Sequence, residues 1–424
     1  MLQEFRVKNY KSIKELETLS MIPTKNSDGH FRGILNSGKY KALPLAAIFG
    51  RNGAGKSNML EALLRFQSLI IGGANVEEDT LIKHDYYKLD PEYKQKPTFL
   101  GIDFIGSDGI RYTYEVEFNG KQICIENLNF YPKRQKVKLF ERELNQISFG
   151  DSFLGTKSAI EKLLYKNQLL LSKVRGENIE ALKIPYNFFI DKIFYRKPGE
   201  LNNSGYLSHF AKNIYESKYP NYRENLARLL RAADTGIYDL EAGKRDLEAI
   251  KMPESLEPSL RKHIESTLEY YITTKHKDES DDLTKLVNFS IFDESMGTRR
   301  LLEIGGLMLE SLHDGQLLVI DEFDISLHPV LTKALVKLYN DPKTNPNNAQ
   351  LIISTQDISL FDSDVFSYDQ LWIAEKVFEG WSNYYSLSDI KGLRKNVPLH
   401  KWYLDGRLGG VPIINYSELE FEIS

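Results

Sequence analysis

Two short stretches of this 424-residue sequence carry residue types and spacings suited to chemistry on a phosphate chain. The first, Gly50-Arg51-Asn52-Gly53-Ala54-Gly55-Lys56-Ser57, satisfies G-x-x-x-x-G-K-[ST] in full. Glycines at these positions let main-chain N–H groups close around phosphate oxygens at the positive end of a helix. Lys56 is then expected to bridge the β- and γ-phosphates and the Ser57 hydroxyl to ligate Mg²⁺, with Asn58 as the next nucleotide-site residue. The second stretch, Leu317-Leu318-Val319-Ile320-Asp321-Glu322, is an apolar strand closed by two acids. Asp321 would complete the Mg²⁺ shell through water, because Mg²⁺ dehydrates reluctantly. Glu322 would orient and deprotonate an attacking water. Alone, such a run is more often a strand meeting a solvated loop; the upstream phosphate loop gives it a second reading.

Both stretches need particular elements around them. Pro44-Leu45-Ala46-Ala47-Ile48-Phe49 is too continuously apolar for a half-exposed strand and predicts a buried central one ahead of the glycine-rich turn. A helix is expected from about Lys56 to Ile70, with Met59, Leu60, Leu63, Leu64 and Phe66 inward. Residues 24–40, rich in Asn, Ser, Gly and Lys, read as a loop or hairpin tip. Between Pro97 and Tyr131 the period drops to two, with Asp108-Gly109 and Asn119-Gly120 as turn signals, so an antiparallel β-subdomain is expected. Residues 155–272 read as mainly helical, interrupted at Pro198-Gly199 and Asn202-Asn203-Ser204-Gly205, and Lys275 to Asp282 as a charged loop. No heptad runs long enough for a coiled coil. Strand-and-helix texture returns after residue 285, and Leu371–Ala374 and Asn383–Leu387 read as two last strands.

Composition narrows the class. A hydrophobic share of 42% supports one large core and a second, smaller one. The charged share of 27% with a net charge of −4 describes an ordinary soluble surface and leaves room only for a local basic patch. No apolar stretch approaches the ~20 residues of a membrane span, so a cytoplasmic protein without membrane contact is expected. The single cysteine, Cys124, excludes an intrachain disulfide framework and reads as a structural strand residue.

In this order of elements the chain resembles the SMC, RecF and OLD-type branch of the ABC ATPases. The likeness includes the opening Phe5-Arg6-Val7-Lys8-Asn9-Tyr10-Lys11-Ser12-Ile13. It is most similar to the AAA family ATPases of bacterial anti-phage and abortive-infection loci, of RloA/AbiL type. That narrower likeness rests on Glu294-Ser295-Met296-Gly297-Thr298-Arg299-Arg300-Leu301, on Asp321-Glu322-Phe323-Asp324-Ile325-Ser326-Leu327-His328-Pro329, and on the tail Gly406-Arg407-Leu408-Gly409-Gly410-Val411-Pro412. The resemblance implies an α/β P-loop NTPase of ABC-head type with an antiparallel β-subdomain and a helical insertion. Residues 1–150 and 286–424 would form the head, and 151–285 the insertion.

The resemblance also implies ATP and Mg²⁺ as the bound species. It makes Ser295, Gly297 and Thr298 a signature loop that contacts the γ-phosphate held by an opposite subunit, so that hydrolysis requires a head-to-head homodimer. By itself Ser-x-Gly-Thr is only a helix N-cap sequence. Asp324 to Pro329 resembles the D-loop, although His328 also fits a plain helix start. The family usually carries a switch histidine after the next strand; here Leu351-Ile352-Ile353-Ser354 leads into Thr355-Gln356-Asp357. Gln356 can hydrogen-bond a γ-phosphate or water but cannot carry a proton at neutral pH, which implies slow turnover. No Q-loop is assigned, since Gln67 lies in the first helix and Gln122 in the β-lobe.

Only 66 residues follow Ile358, too few for the nuclease that OLD-type relatives append. The resemblance implies, as the favoured expectation, an anti-phage ATPase, and the short remainder implies that any nuclease-like effector it controls is a separate protein. The alternative is a RecF-like clamp on duplex DNA, for which Arg134, Lys136 and Lys138 offer a candidate stripe on one strand face, although a solvated face explains them as well. A transporter subunit lacks the membrane-coupling features.

Overall fold

A computed structural model describes residues 1–424 apart from 25–32, 155–156, 158–159, 161–162, 176–178, 197–203, 248–252, 254–255, 279–284, 363, 394–396, 413, 416–417 and 419–424. The expected turns at Pro198-Gly199 and Asn202-Asn203 lie outside the described residues, as do residues 25–32 of the loop or hairpin expected at 24–40 and 279–282 of the charged loop expected at 275–282. Of the described remainder, Leu35–Ser37 pairs with Tyr40–Ala42 as a hairpin, whereas residues 275–277 are not loop but the end of the strand Tyr270–Lys277, paired on both sides.

The central sheet has six strands in the order Ile193–Arg196, Leu317–Ile320, Gln350–Ser354, Leu45–Phe49, Leu371–Lys376 and Ser382–Ser386. The first five are parallel and the sixth antiparallel. Strands covered on both faces should be apolar at every position, and Leu45–Phe49, Leu317–Ile320 and Gln350–Ser354 are buried throughout. Their side chains sort alternately: Ile48, Val319 and Ile352 join one core, Phe49, Leu318, Ile320 and Ile353 the other.

The first core lies under a seven-stranded antiparallel sheet ordered Gln146–Phe149, Val137–Glu143, Ile123–Tyr131, Arg111–Phe118, Thr98–Ile105, Leu2–Lys8 and Glu17–Ser20. The helix Lys56–Gly72 buries Met59, Leu60, Leu63, Phe66 and Ile70 in that core, and Phe66 stacks on Tyr114 at 5.4 Å. Each such side chain adds roughly 1.5–3 kcal/mol on burial, so the helix carrying the phosphate loop is firmly seated. The second core holds the helices Met296–Asp314 and Pro329–Asn340. Cys124 sits in the strand Ile123–Tyr131, where it accepts from Asn119 Nδ2 at 3.6 Å.

The segment expected to be mainly helical, residues 155–272, carries the helices Glu180–Asp191, Ser204–Tyr215, Tyr222–Ala232 and Pro258–Leu268. It differs from the mainly helical expectation in its strands. Ile193–Arg196 pairs with Leu317–Ile320 as the edge of the central sheet, and Ile237–Lys244, Tyr270–Lys277 and Leu286–Ser290 form a separate antiparallel sheet. Dense mixed charge hid their short alternations. The stripe of three basic residues also dissolves. The strand begins only at Val137, Arg134 sits in a left-handed turn (φ 67°), and Lys138 is bonded to Glu141 at 3.2 Å and Ser148 at 2.9 Å. Among the described residues no helix is long and apolar enough to cross a membrane.

Candidate nucleotide site

Register brings the ends of three adjacent parallel strands to one level. Ile320 pairs with Ile353, and Ser354 with Ile48, so Asp321, Ser354 and the turn after Phe49 emerge side by side. Ligands of open α/β sheets bind at such carboxyl ends. Ser57 Oγ donates to Asp321 Oδ1 at 3.1 Å across 264 residues of sequence, and Ser354 Oγ donates to the same oxygen.

The turn between strand and helix has the backbone that its glycines predict. Gly50, Gly53 and Gly55 adopt φ of 149°, 75° and 106°. A Cβ on Gly50 would lie 2.3 Å from Ala374 O, and one on Gly55 would lie 2.2 Å from Ser382 Oγ. Gly55 is also the N-cap of the helix, with no side-chain cap and no acid in the first turn, so the helix's positive end is open to an anion. Asn52 and Gly53 are exposed at the loop's crest, whereas Ala54 and Lys56 are buried beneath it. Lys56 Nζ donates to Gly50 O at 2.7 Å and to Arg51 O at 3.3 Å. Burial pulls its pKa below the ordinary lysine value, while Asp321, Asp324 and Glu322 pull it back up.

Asp321 is 5% exposed. Glu322 follows in a left-handed conformation, φ 49°, held by a 2.8 Å bond from its N–H to Ser354 Oγ. Gln356 is exposed, and its N–H donates to Asp324 at 3.3 Å. Thr332 Oγ1, in the helix that follows Pro329, donates to Asp357 Oδ2 at 2.6 Å and so ties the D-loop-like segment to the segment carrying Gln356. His328 is the N-cap of that helix, accepting from Val330 N at 3.3 Å. Gln67 donates to Phe189 O at 2.6 Å and Ile193 O at 2.7 Å, a packing role within the lobe.

Ser295, Gly297 and Thr298 are not brought to the phosphate loop of their own chain. Among the described residues no hydrogen bond joins them to residues 50–58. Ser295 Oγ instead caps its helix by accepting from Thr298 N at 3.1 Å, and a Cβ on Gly297 would stand 3.0 Å from Ser326 O. The structure therefore gathers Gly50 to Asn58, Asp321 and Ser354 directly, with Glu322 and Gln356 at the rim.

Residues that sequence reasoning missed brace the loop from behind. Ser382 Oγ donates to Ala54 O at 2.6 Å and lies 2.7 Å from Ser12 Oγ, which accepts from Asn58 Nδ2 at 2.6 Å. Tyr384 OH donates to Gly55 O at 2.7 Å, and Tyr384 N donates to Glu17 Oε2 at 3.1 Å. Burial raises the Glu17 pKa to about 7. Ser354 ends the strand Gln350–Ser354, and a hydroxyl at that strand terminus is the signal the sequence offers for it.

The sequence matches a family model described as "AAA domain, putative AbiEii toxin, Type IV TA system" over residues 45–362. The chain belongs to this family. The AAA-domain match spans the phosphate loop, the acidic strand and Gln356. No curated protein matches the sequence. Among solved structures, an SMC head bound to the C-terminal winged-helix domain of ScpA is similar at 13% identity and TM-score 0.45, over 91% of this chain and 97% of that one. An SMC head domain from Thermotoga maritima matches at 13% identity and TM-score 0.40, over 91% and 98%. The recombination mediator RecF of the RecFOR pathway, with ATPrS, matches at 15% identity and TM-score 0.36, over 91% and 98%.

Proposed function

We propose that this AAA-domain protein binds Mg·ATP and hydrolyses it slowly between two copies of the chain, and that head closure controls a separate, nuclease-like effector in anti-phage defence. The observation that carries the nucleotide reading is the 3.1 Å contact between Ser57 Oγ and Asp321 Oδ1 beneath an open helix N-terminus. A hydroxyl and a carboxylate at that separation are hard oxygen donors suited to Mg²⁺, with phosphate and water oxygens to complete the shell. Ser57 would hold the ion directly and Asp321 through water; when bound, Mg²⁺ supplies positive charge at the phosphate oxygens.

The chain's own groups would do the rest. Backbone N–H groups of Gly53 to Ser57 bind the phosphates, and Lys56 leaves the carbonyls of Gly50 and Arg51 for the β- and γ-oxygens. Glu322 takes the proton of the attacking water. Gln356 orients that water or the γ-phosphate through its amide and moves no proton. Ser295, Gly297 and Thr298, exposed or half-exposed and remote in hydrogen bonding from their own phosphate loop, would face the γ-phosphate of the opposing copy. A defence setting is supported by the family's printed description, a putative AbiEii toxin of a type IV TA system; effector control is supported by the resemblance to anti-phage ATPases, with closure as the two-state element.

The test uses purified wild type, Lys56→Ala and Glu322→Gln. ATP affinity by calorimetry should be lost in Lys56→Ala and kept in Glu322→Gln. Turnover in Glu322→Gln should fall by about 10²–10⁴, and light scattering should show an ATP-stabilised dimer. Full ATP binding by Lys56→Ala would sink the nucleotide assignment, and undiminished turnover by Glu322→Gln would remove the base. Co-purification of a nuclease-like protein from the native host tests effector control.

A further inference from the structure

Arg300 lies in the second turn of the helix Met296–Asp314 and is only 6% exposed. Buried guanidinium groups are ordinarily held by several acceptors or by a carboxylate. This one has a single long contact, from Nη2 to the carbonyl of Glu322 at 3.5 Å, and its Nε has no hydrogen-bond partner among the described residues. No carboxylate of a described residue lies within ion-pair distance, although Glu303, Asp324 and Glu322 all act on its charge electrostatically. A buried arginine so incompletely satisfied lowers stability, because the desolvation of its unmade bonds is not repaid. Such groups in native proteins concentrate where function needs them.

Its position suggests what that need is. The helix that bears Arg300 begins at Ser295, and its first turn already touches the D-loop-like segment, since a Cβ on Gly297 would lie 3.0 Å from Ser326 O. Arg300 makes the second contact, two residues beyond the strand Leu317–Ile320, at the carbonyl of Glu322. That peptide is already in the left-handed region and is held on its other side by Ser354. The start of the Ser295 helix is therefore linked mechanically to the backbone that aims the Glu322 carboxylate.

We propose that Arg300 is a positioning residue for hydrolysis: it fixes the Glu322 peptide against the helix of the Ser295–Thr298 loop, so that engagement of that loop sets the aim of the general base. The inference rests on the reading of Glu322 as base given above. It assigns Arg300 no contact with nucleotide, so its loss should change turnover and leave binding alone.

Steady-state ATPase kinetics and ATP affinity by calorimetry on full-length Arg300→Gln, Arg300→Lys, Glu322→Gln and the double variant Arg300→Gln/Glu322→Gln provide the test. The expected result is a kcat lowered about tenfold to a hundredfold in Arg300→Gln, with KM and ATP affinity within about threefold of wild type. Arg300→Lys, which keeps a donor and a charge, should regain part of the loss. The double variant should be no slower than Glu322→Gln, because a group that acts through Glu322 has nothing left to position. Unchanged kcat, a loss expressed in KM, a lysine no better than glutamine, or a double variant slower than Glu322→Gln each overturns the proposal while leaving the base assignment intact. Retained turnover in Glu322→Gln overturns the base assignment and this proposal with it. Should Arg300→Gln fail to fold, the kcat-to-KM comparison is made on Arg300→Lys, for which a kcat equal to wild type with raised KM refutes the role.

Discussion

Gly55→Ala should damage nucleotide binding far more than a single methyl suggests. Gly55 has φ 106°, and its Cβ would lie 2.2 Å from Ser382 Oγ, 2.8 Å from Ser12 Oγ and 2.9 Å from Ser382 Cβ. Left-handed strain at a non-glycine residue costs about 1–2 kcal/mol. Moving Ser382 aside breaks its bond to Ala54 O and its contact with Ser12, each contributing about 1 kcal/mol. The total of about 3–4 kcal/mol is more than a glycine-rich turn needs to adopt another conformation. The loop should relax, and ATP must then restore the competent form at its own expense. At 1.4 kcal/mol per decade, affinity should fall by about 10²–10³. Calorimetry with a non-hydrolysable ATP analogue measures this, and thermal melts show how much of the cost reaches global stability. Gly109→Ala is the control, with φ 73° and nothing within 4 Å; it should lose only about 1 kcal/mol of stability and keep full affinity. Ser382→Gly placed in the Gly55→Ala background should recover part of the affinity by removing two of the three overlaps. Affinity within threefold of wild type in Gly55→Ala, or no recovery in the double variant, would refute the steric account.

Two further outcomes are expected. Glu17 is 8% exposed and its pKa is raised to about 7 from 4.5, so the folded state holds its proton more tightly than the unfolded chain. Stability from this group is complete below about pH 4.5 and is lost as pH rises through about 7, a change of roughly 3 kcal/mol at most. Glu17→Gln should therefore melt increasingly above wild type between pH 5 and 8, and parallel melting curves would count against a protonated Glu17. Gln356→His should raise kcat several-fold at pH 7 while leaving ATP affinity unchanged, because an imidazole can exchange a proton where an amide cannot; an equal or lower kcat would mean that the departure at this position does not limit turnover.

How much of this site could be read from the chain depended on whether its signal was local. The phosphate loop, the apolar run ending in Asp321-Glu322 and the Asp108-Gly109 turn each declare themselves within a few residues, because strand burial, glycine φ and turn chemistry act over that range. The braces behind the loop do not. Ser12 and Ser382 are 370 residues apart, and Tyr384 and Gly55 329 apart, and neither pair has a pattern that announces contact. Ile193–Arg196 was hidden for a related reason: a four-residue edge strand is too short for its period to stand out beside the amphipathic helix Glu180–Asp191. The Ser295 loop shows the opposite limit. Its sequence was conspicuous, yet within one chain its side chain does no more than cap a helix.

The pairing of Asp321 with Glu322 poses a geometric problem that Ser354 resolves. Consecutive residues of a strand send their side chains to opposite faces, so two adjacent acids at a strand end would ordinarily not serve one site. Here the strand stops at Ile320 and Glu322 turns into the left-handed region, which frees the second carboxylate from that alternation. Such a conformation costs about 1–3 kcal/mol in a non-glycine residue and persists only where its surroundings hold it. Ser354 does so with three bonds: its hydroxyl donates to Asp321 Oδ1 and accepts from Glu322 N, while its carbonyl accepts from Phe323 N at 3.0 Å. One hydroxyl thus fixes the orientation of the acid suited to the metal and the backbone of the acid suited to the water. The neighbouring strand thereby sets the spacing between the two, and no loop is required to find it.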